Sequence, residues 1–293
     1  MLLYFEDQQD SAERIAKAAN LSLSIIERHR FPDGEIKLRL PGKLPKNVAI
    51  LCTLNDPNEK LIALLFATKT ARQLGAQHLT LVAPYLSYMR QDTAFHPGEA
   101  VSQRILGLFL ADLFEAIITV DPHLHRVATL QEAVPVARAI VLSGAPLLSD
   151  LIASRCQNPL LIGPDEESAQ WVALAAARHK FDHAVCVKVR HGDCAVEVAL
   201  PNISVKGRHV VLMDDVVSTG HTLSQAAKLL IASGAATVDV AVTHALFVDG
   251  ALKNVLDAGV RGVWSTDCIA HFSNAVSMAT AIGESIMLLH SKE

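Results

Sequence analysis

Two adjacent carboxylates, Asp214 and Asp215, stand between an apolar run, Val210 to Met213, and the hydroxyl-rich sequence Ser218-Thr219-Gly220-His221-Thr222. A helix starting there offers backbone N–H groups without intrahelical partners and the positive end of its dipole. The glycine lets an anion approach the backbone, and the hydroxyls add donors. That is chemistry for holding a phosphate. Acids facing the anion would repel it, so Asp214 and Asp215 are better suited to accepting hydrogen bonds from sugar hydroxyls, or to helping hold a divalent cation beside the phosphate. A plain strand end followed by an N-cap uses the same residue types.

Other constellations carry complementary chemistry. Arg30-Phe31-Pro32-Asp33-Gly34-Glu35-Ile36 combines an aromatic face with the carboxylates Asp33 and Glu35 on what is also a good hairpin turn. In Pro84-Tyr85-Leu86-Ser87-Tyr88-Met89-Arg90-Gln91-Asp92, Arg90 supplies a fork of donors matched to phosphate oxygens, with Gln91 and Asp92 beside it. Thr119-Val120-Asp121-Pro122-His123-Leu124-His125 places Asp121, His123 and His125 on one face if extended, because side chains repeat every two residues. Lys188 and Arg190, in Val187-Lys188-Val189-Arg190, share a face in the same way and suit a two-pronged clamp on an anion.

The elements that must position these groups follow an alternating pattern. Apolar, β-branched runs predict strands at Val48–Leu51, Leu79–Ala83, Ile117–Val120, Leu160–Gly163, Val210–Met213 and Val238–Val242, with a first strand near Met1. Amphipathic stretches predict helices at Asn58–Leu74, Val101–Phe114, Ser168–His179 and Thr222–Ser233. Strand–helix alternation of this kind predicts an α/β fold with mostly parallel sheets flanked by helices. A strand, an acidic turn and a helix recur at Asp121 and Asp214, which suggests two similar domains, 1–143 and 144–293, divided near the Ser-Gly-Ala-Pro turn. Ala184 to Leu200, with a turn at Gly192-Asp193, is expected as a hairpin flap in the second domain.

Bulk properties narrow the classes. At 293 residues, 51% hydrophobic and 19% charged, the chain can bury more than one core, and a net charge of -4 without clustered Lys and Arg argues against nucleic acid as a partner. No apolar run reaches the roughly 20 residues of a membrane span, and the N-terminus lacks a signal-peptide pattern, so a cytoplasmic location is expected. Five cysteines, Cys52, Cys156, Cys186, Cys194 and Cys268, form no C-x-x-C pair and read as ordinary reduced residues.

Taken in order, these motifs resemble those of the ribose-phosphate diphosphokinases (phosphoribosyl pyrophosphate synthetases), and the resemblance runs from about Phe31 to Thr222. The loop after Asp214 and Asp215 is similar to the phosphoribosyl diphosphate motif that this family shares with phosphoribosyltransferases. Ser218, where many members carry Asp, resembles the archaeal type. The resemblance implies two phosphoribosyltransferase-like domains and a set of roles. Asp214 and Asp215 contact the ribose hydroxyls, and Ser218, Thr219, Gly220, His221 and Thr222 bind the 5-phosphate of ribose 5-phosphate. Phe31, Asp33 and Glu35 hold adenine, while Arg90, Gln91 and Asp92 serve the rest of ATP. His123 and Asp165 bind Mg2+, and Lys188 and Arg190 close over the transferring group as catalytic residues. His125 has no counterpart in the pattern, and Glu167-Ser168 stands where members carry small glycines.

The activity implied is attack of the ribose 1-hydroxyl on the β-phosphorus of Mg-ATP, giving 5-phosphoribosyl 1-diphosphate and AMP. A homodimer or higher homo-oligomer with shared active sites is implied as well. A phosphoribosyltransferase acting on a nucleobase, or a catalytically silent regulatory homologue, would use parts of the same pattern.

Overall fold

The computed structural model describes residues 1–191 and 195–290, leaving out the side chains of 188–191 and 195–198. It divides into two compact units, Met1–Leu142 with the C-terminal segment from Met278, and Ser143–Ser277.

In the first unit the chain runs β1 (Leu2–Phe5), α1 (Gln9–Ala18), β2 (Leu23–Arg30), β3 (Ile36–Arg39), β4 (Asn47–Leu51), α2 (Pro57–Gln73), β5 (His78–Ala83), α3 (Ser102–Leu113), β6 (Ala116–Val120), α4 (Leu130–Ala133) and β7 (Arg138–Leu142). The sheet order is β3-β2-β1-β4-β5-β6-β7. Within it β2 and β3 pair antiparallel, as a hairpin whose tip is Phe31 to Glu35; the other neighbours are parallel. Every residue of β1 and β6 is buried, which is why these strands show no apolar–polar alternation, Thr119 being the one hydroxyl residue in β6.

The second unit follows with α5 (Ala145–Arg155), β8 (Leu160–Gly163), α6 (Ala169–His179), β9 (Asp182–Val185), β10 (Val187–His191), β11 (Ala195–Ala199), β12 (His209–Val217), α7 (His221–Ala232), β13 (Thr237–Ala245), α8 (Ala251–Asp257), β14 (Val263–Thr266) and β15 (Asn274–Val276). Its main sheet, β15-β14-β13-β12-β8-β9, is parallel throughout. Along β12, Val210 and Leu212 join one apolar cluster with Leu223 and Ala226 of α7, while Val211 and Met213 join another with Leu148 of α5 and Trp171 of α6. Alternate residues thus feed cores on both faces of the sheet. The flap is a separate antiparallel pair, β10 with β11. Its expected turn at Gly192-Asp193 lies outside the described residues.

The last helix, α9 (Ala279–His290), belongs to the first unit. It crosses α1 so closely that a Cβ on Gly283 would come 2.8 Å from Ala18 Cβ and 3.0 Å from the Ala19 nitrogen, and Arg138 of β7 donates to the Leu289 carbonyl at 2.7 Å. A division at residue 143 assigns this helix to the second domain. The packing places residues from 278 onward with the first, because the apolar side of α9, including Ile282 and Ile286, finds its cover there. No described helix is long and apolar enough to cross a membrane.

Helix α3 meets α4 at a comparable point, where a Cβ on Gly107 would sit 1.7 Å from the Ala133 carbonyl oxygen, a backbone atom that cannot rotate away. Gly107→Ala is therefore expected to destabilise the protein by about 1 to 3 kcal/mol, as overpacking does, despite the better helix propensity of alanine. A urea-unfolding midpoint equal to that of the parent would show that the two helices are free to separate.

Candidate active site

Several of the groups singled out from the sequence follow the C-terminal ends of parallel strands, Arg90 after β5 and His123 after β6 in one unit, Asp165 after β8 and Ser218 to Thr222 after β12 in the other, the place where open α/β sheets bind ligands. In the second unit β12 continues past the expected end at Met213 and carries both acids. Asp214 pairs with Val242, and the ladder to β13 persists to Val217 and Ala245. β13 is nine residues long, which lets its ladder with β12 extend past the acids. The loop beyond is anchored to the end of the neighbouring strand, since Leu246 N–H donates to the Val217 carbonyl at 3.0 Å and Val248 N–H to the Ser218 carbonyl at 3.1 Å.

Gly220 is the N-cap of α7, with φ of 67°, and a Cβ there would stand 2.7 Å from Val255. Both the left-handed backbone and the closeness of α8 demand glycine. No side chain caps α7, so its first N–H groups have no side-chain acceptor, with Ser218 and Thr222 half-buried beside them and Thr219 and His221 exposed.

Asp165 follows β8 in the same unit and is buried; its Oδ1 accepts from Glu167 N–H at 3.1 Å. Ser168, in place of a small glycine, does not crowd this turn. It is fully buried and donates its hydroxyl to the Asp165 carbonyl at 2.6 Å, while Glu167 is exposed. Asp214 is half-buried, and its carboxyl lies well above the usual carboxylate range, first because of desolvation and then through the charges of Asp215 and Asp165. These three carboxylates concentrate negative charge at one strand edge.

In the first unit, Phe31, Asp33 and Glu35 are exposed at the β2–β3 hairpin tip. The turn is closed by Phe31 N–H to the Glu35 carbonyl at 2.8 Å, Gly34 N–H to the Phe31 carbonyl at 2.9 Å, and Glu35 N–H to Asp33 Oδ1 at 3.1 Å. Arg30 and Arg28 hold the hairpin to Glu59 of α2 at 3.1 and 3.6 Å. The segment after β5 turns at Tyr88, whose φ of 62° is strained for a bulky residue and whose hydroxyl bonds Asn58, and this turn leaves Arg90 exposed. Asp92 is ion-paired with Arg126, a cation that belongs to none of the sequence motifs.

After β6 the chain does not stay extended: Asp121 adopts φ of 37°, is buried, and donates its N–H to the Leu142 carbonyl at 2.8 Å. The single face expected for Asp121, His123 and His125 is therefore broken at Asp121. The two histidines still meet, Nε2 to Nε2 at 2.9 Å with rings edge to face. Lys188 and Arg190 occupy β10 opposite Val198 and Val196 of β11, and their side chains lie outside the described residues.

A family model for the N-terminal domain of ribose phosphate pyrophosphokinase matches residues 1–117, and a phosphoribosyl transferase domain model matches 132–267. The ribose-phosphate pyrophosphokinase of Methanosarcina acetivorans is 32% identical over 95% of this chain and 96% of its own length. The chain belongs to the ribose-phosphate pyrophosphokinase family. A second member, from Methanopyrus kandleri, is 33% identical over 93% of this chain and 94% of its own. A crystal structure of the phosphoribosylpyrophosphate synthetase from Mycobacterium smegmatis superposes with a TM-score of 0.86 at 22% identity, covering 100% of this chain and 99% of that one. The pyrophosphokinases thus share this pair of phosphoribosyltransferase-type domains, and the family resemblance drawn from the motifs is confirmed.

The raised pKa of Asp214 makes stability depend on pH. An acid whose folded pKa lies above its unfolded value binds its proton more tightly when folded, so its contribution to stability falls as pH rises from the ordinary carboxylate range through the folded pKa. Asp214→Asn removes that loss. Thermal unfolding of the variant and the parent should differ little near pH 4 and increasingly favour the variant toward pH 8; a difference independent of pH would mean that the carboxyl is not held protonated by its surroundings.

Proposed function

We propose that the chain transfers the diphosphoryl group of Mg-ATP to the 1-hydroxyl of ribose 5-phosphate, releasing AMP and 5-phosphoribosyl 1-diphosphate. The observation that carries this reading is the presence, in one chain aligned over 95% of its length with a ribose-phosphate pyrophosphokinase, of both a sugar-phosphate loop after Asp214 and Asp215 and the separate Arg90-Gln91-Asp92 group. A transferase acting on a nucleobase would need only the former.

The N-terminal turn of α7, with Ser218, Thr219, Gly220, His221 and Thr222, binds the 5-phosphate, and Asp214 and Asp215 accept from the ribose hydroxyls. Arg90, with Gln91 and Asp92, takes the ATP phosphates and ribose, and Phe31, Asp33 and Glu35 take adenine. Asp165, Asp214 and Asp215 are hard oxygen donors, and burial followed by the charges of its two neighbours raises Asp214, which suits this acidic group to magnesium; the resemblance implies His123 and Asp165 as its ligands. Bound magnesium would neutralise charge on the diphosphoryl oxygens. Lys188 and Arg190 would close on the same charge as it develops, an interaction made in the transition state more than in the ground state. Buried free thiols at Cys52, Cys156, Cys186 and Cys268 accord with work in the reducing cytoplasm.

Purified protein is expected to release AMP from ATP only when ribose 5-phosphate and magnesium are both present. Thr222→Val, lacking one hydroxyl donor to a charged phosphate, should weaken ribose 5-phosphate binding by about 1.5 to 3 kcal/mol while ATP binding stays close to parental. AMP release without the sugar phosphate, or consumption of added 5-phosphoribosyl 1-diphosphate with a nucleobase, would replace the diphosphokinase reading.

The exposed hairpin tip accords with a homodimer or higher oligomer in which Phe31 to Glu35 serve a neighbouring subunit's site. A subunit carrying Phe31→Ala with Asp33→Ala and one carrying Lys188→Ala should each be nearly inactive alone. Equal amounts refolded together give about half heterodimers, each with one doubly defective and one intact site, so about a quarter of parental activity should return. Verified heterodimers without activity would place the hairpin in its own chain's site.

A further inference from the structure

At the N-terminal edge of the second unit's sheet, opposite the acidic end, a second polar cluster is built from three separate segments. Cys156 ends α5, His209 opens β12 and Asp239 lies near the start of β13. Five residues of extended strand separate His209 from Asp214, about 16 Å, so the cluster is distinct from the acids of the candidate active site. Asp239 is completely buried, Cys156 is buried and His209 is half-buried.

All three side chains converge on one nitrogen. His209 Nε2 lies 2.7 Å from Asp239 Oδ2 and 3.5 Å from Cys156 Sγ, and Arg261 places a guanidinium nitrogen 3.2 Å from it. One imidazole nitrogen cannot donate to the carboxylate and accept from the guanidinium together. Arg261 also grips Asp239 at 2.6 and 3.2 Å, and its side chain is 55% exposed, so it can swing into water without leaving a buried cation behind. Burial, followed by the Asp239 charge, pushes the Cys156 thiol up, which makes a proton its partner until a stronger cation arrives.

We propose that Cys156, His209 and Asp239 form a transition-metal site of the zinc class, in which the ion replaces Arg261 as the counter-charge of Asp239. Thiolate, imidazole and carboxylate together make a set that zinc takes readily and magnesium does not. Tetrahedral bonds of about 2.3 Å to sulfur and 2.0 Å to nitrogen set those atoms roughly 3.5 Å apart, and Cys156 Sγ and His209 Nε2 are already 3.5 Å apart. The three ligand atoms already lie within 4.8 Å of one another, and with Arg261 displaced the carboxylate oxygen opens from 2.7 Å to roughly 3.3 Å from the imidazole nitrogen. Three protein ligands leave the fourth position to water. The ion ties the α5–β8 connection to the starts of β12 and β13, so its effect is on the stability of this unit.

Cobalt(II) is the probe, because its thiolate complexes show a sulfur-to-metal charge-transfer band and magnesium sites do not. Titration of the intact protein with cobalt should produce that band, saturating at one equivalent per chain, and zinc should displace it and raise the thermal midpoint. Cys156→Ser should abolish the band while circular dichroism shows an unchanged fold, and Arg261→Gln should tighten cobalt binding by about tenfold or more by removing the competing cation. Absence of the band in the parent overturns the proposal, whether or not Arg261→Gln acquires one. Persistence of the band in Cys156→Ser overturns it too, since the metal would then sit on another thiol.

Discussion

The ladder between β12 and β13 is the constraint on which the second unit depends. A parallel pair running from His209 with Thr237 to Val217 with Ala245 fixes where both ends of β12 stand. At one end it pairs Asp214 with Val242 and, past the acids, Val216 and Val217 with His244 and Ala245, so the strand end that carries both acids keeps backbone partners that a strand stopping at Met213 would lack. The bonds from Leu246 and Val248 then hold the following loop, so the glycine at the head of α7 meets α8 at a set distance. The turn at the head of α7 is thus positioned by a neighbouring strand as much as by its own sequence.

The same ladder explains what the sequence disclosed. Strands buried on both faces are largely apolar, so Val210 to Met213 and Val238 to Val242 stand out, with the buried Asp239 as the one polar residue within them. The four expected helices agree with α2, α3, α6 and α7 to within a residue or so at each end, because each carries an apolar stripe of helical period. The family follows from the order of motifs for a related reason: side chains that act on a ligand cannot be exchanged for others of similar hydrophobicity.

Features that depend on long-range packing are not legible in the sequence. Nothing local to residues 278–290 tells which unit covers α9; that is decided by Gly283 fitting against Ala18, a match of two surfaces far apart in sequence. The left-handed backbone at Tyr88 and Asp121 is hidden because neither residue is glycine or asparagine, and only the fold overrides the steric preference. Arg126 beside Asp92, Cys156 beside His209, and His209 beside Asp239 come together from positions 30 to 53 residues apart. Each is, by its local sequence, an ordinary surface or core residue.

The two ends of the second unit's sheet handle buried acid in opposite ways, and the contrast bears on function. At the N-terminal edge Asp239, though fully buried, is met by Arg261 and His209. At the C-terminal edge burial shifts Asp214 most, and the neighbouring charges that add to it are themselves acids, Asp215 and Asp165. Both arrangements cost folding free energy, but the first is offset within the protein, whereas relief of the second calls for a proton or a ligand. Negative charge held at a strand end in this way makes the affinity for a cation, or for hydroxyl donors, larger than a relaxed surface of the same residues would allow. The sheet that forces the acids together also orders the loop beside them, so the same backbone ladder that concentrates the acids fixes the turn they adjoin, and a ligand meeting both would find little left to order.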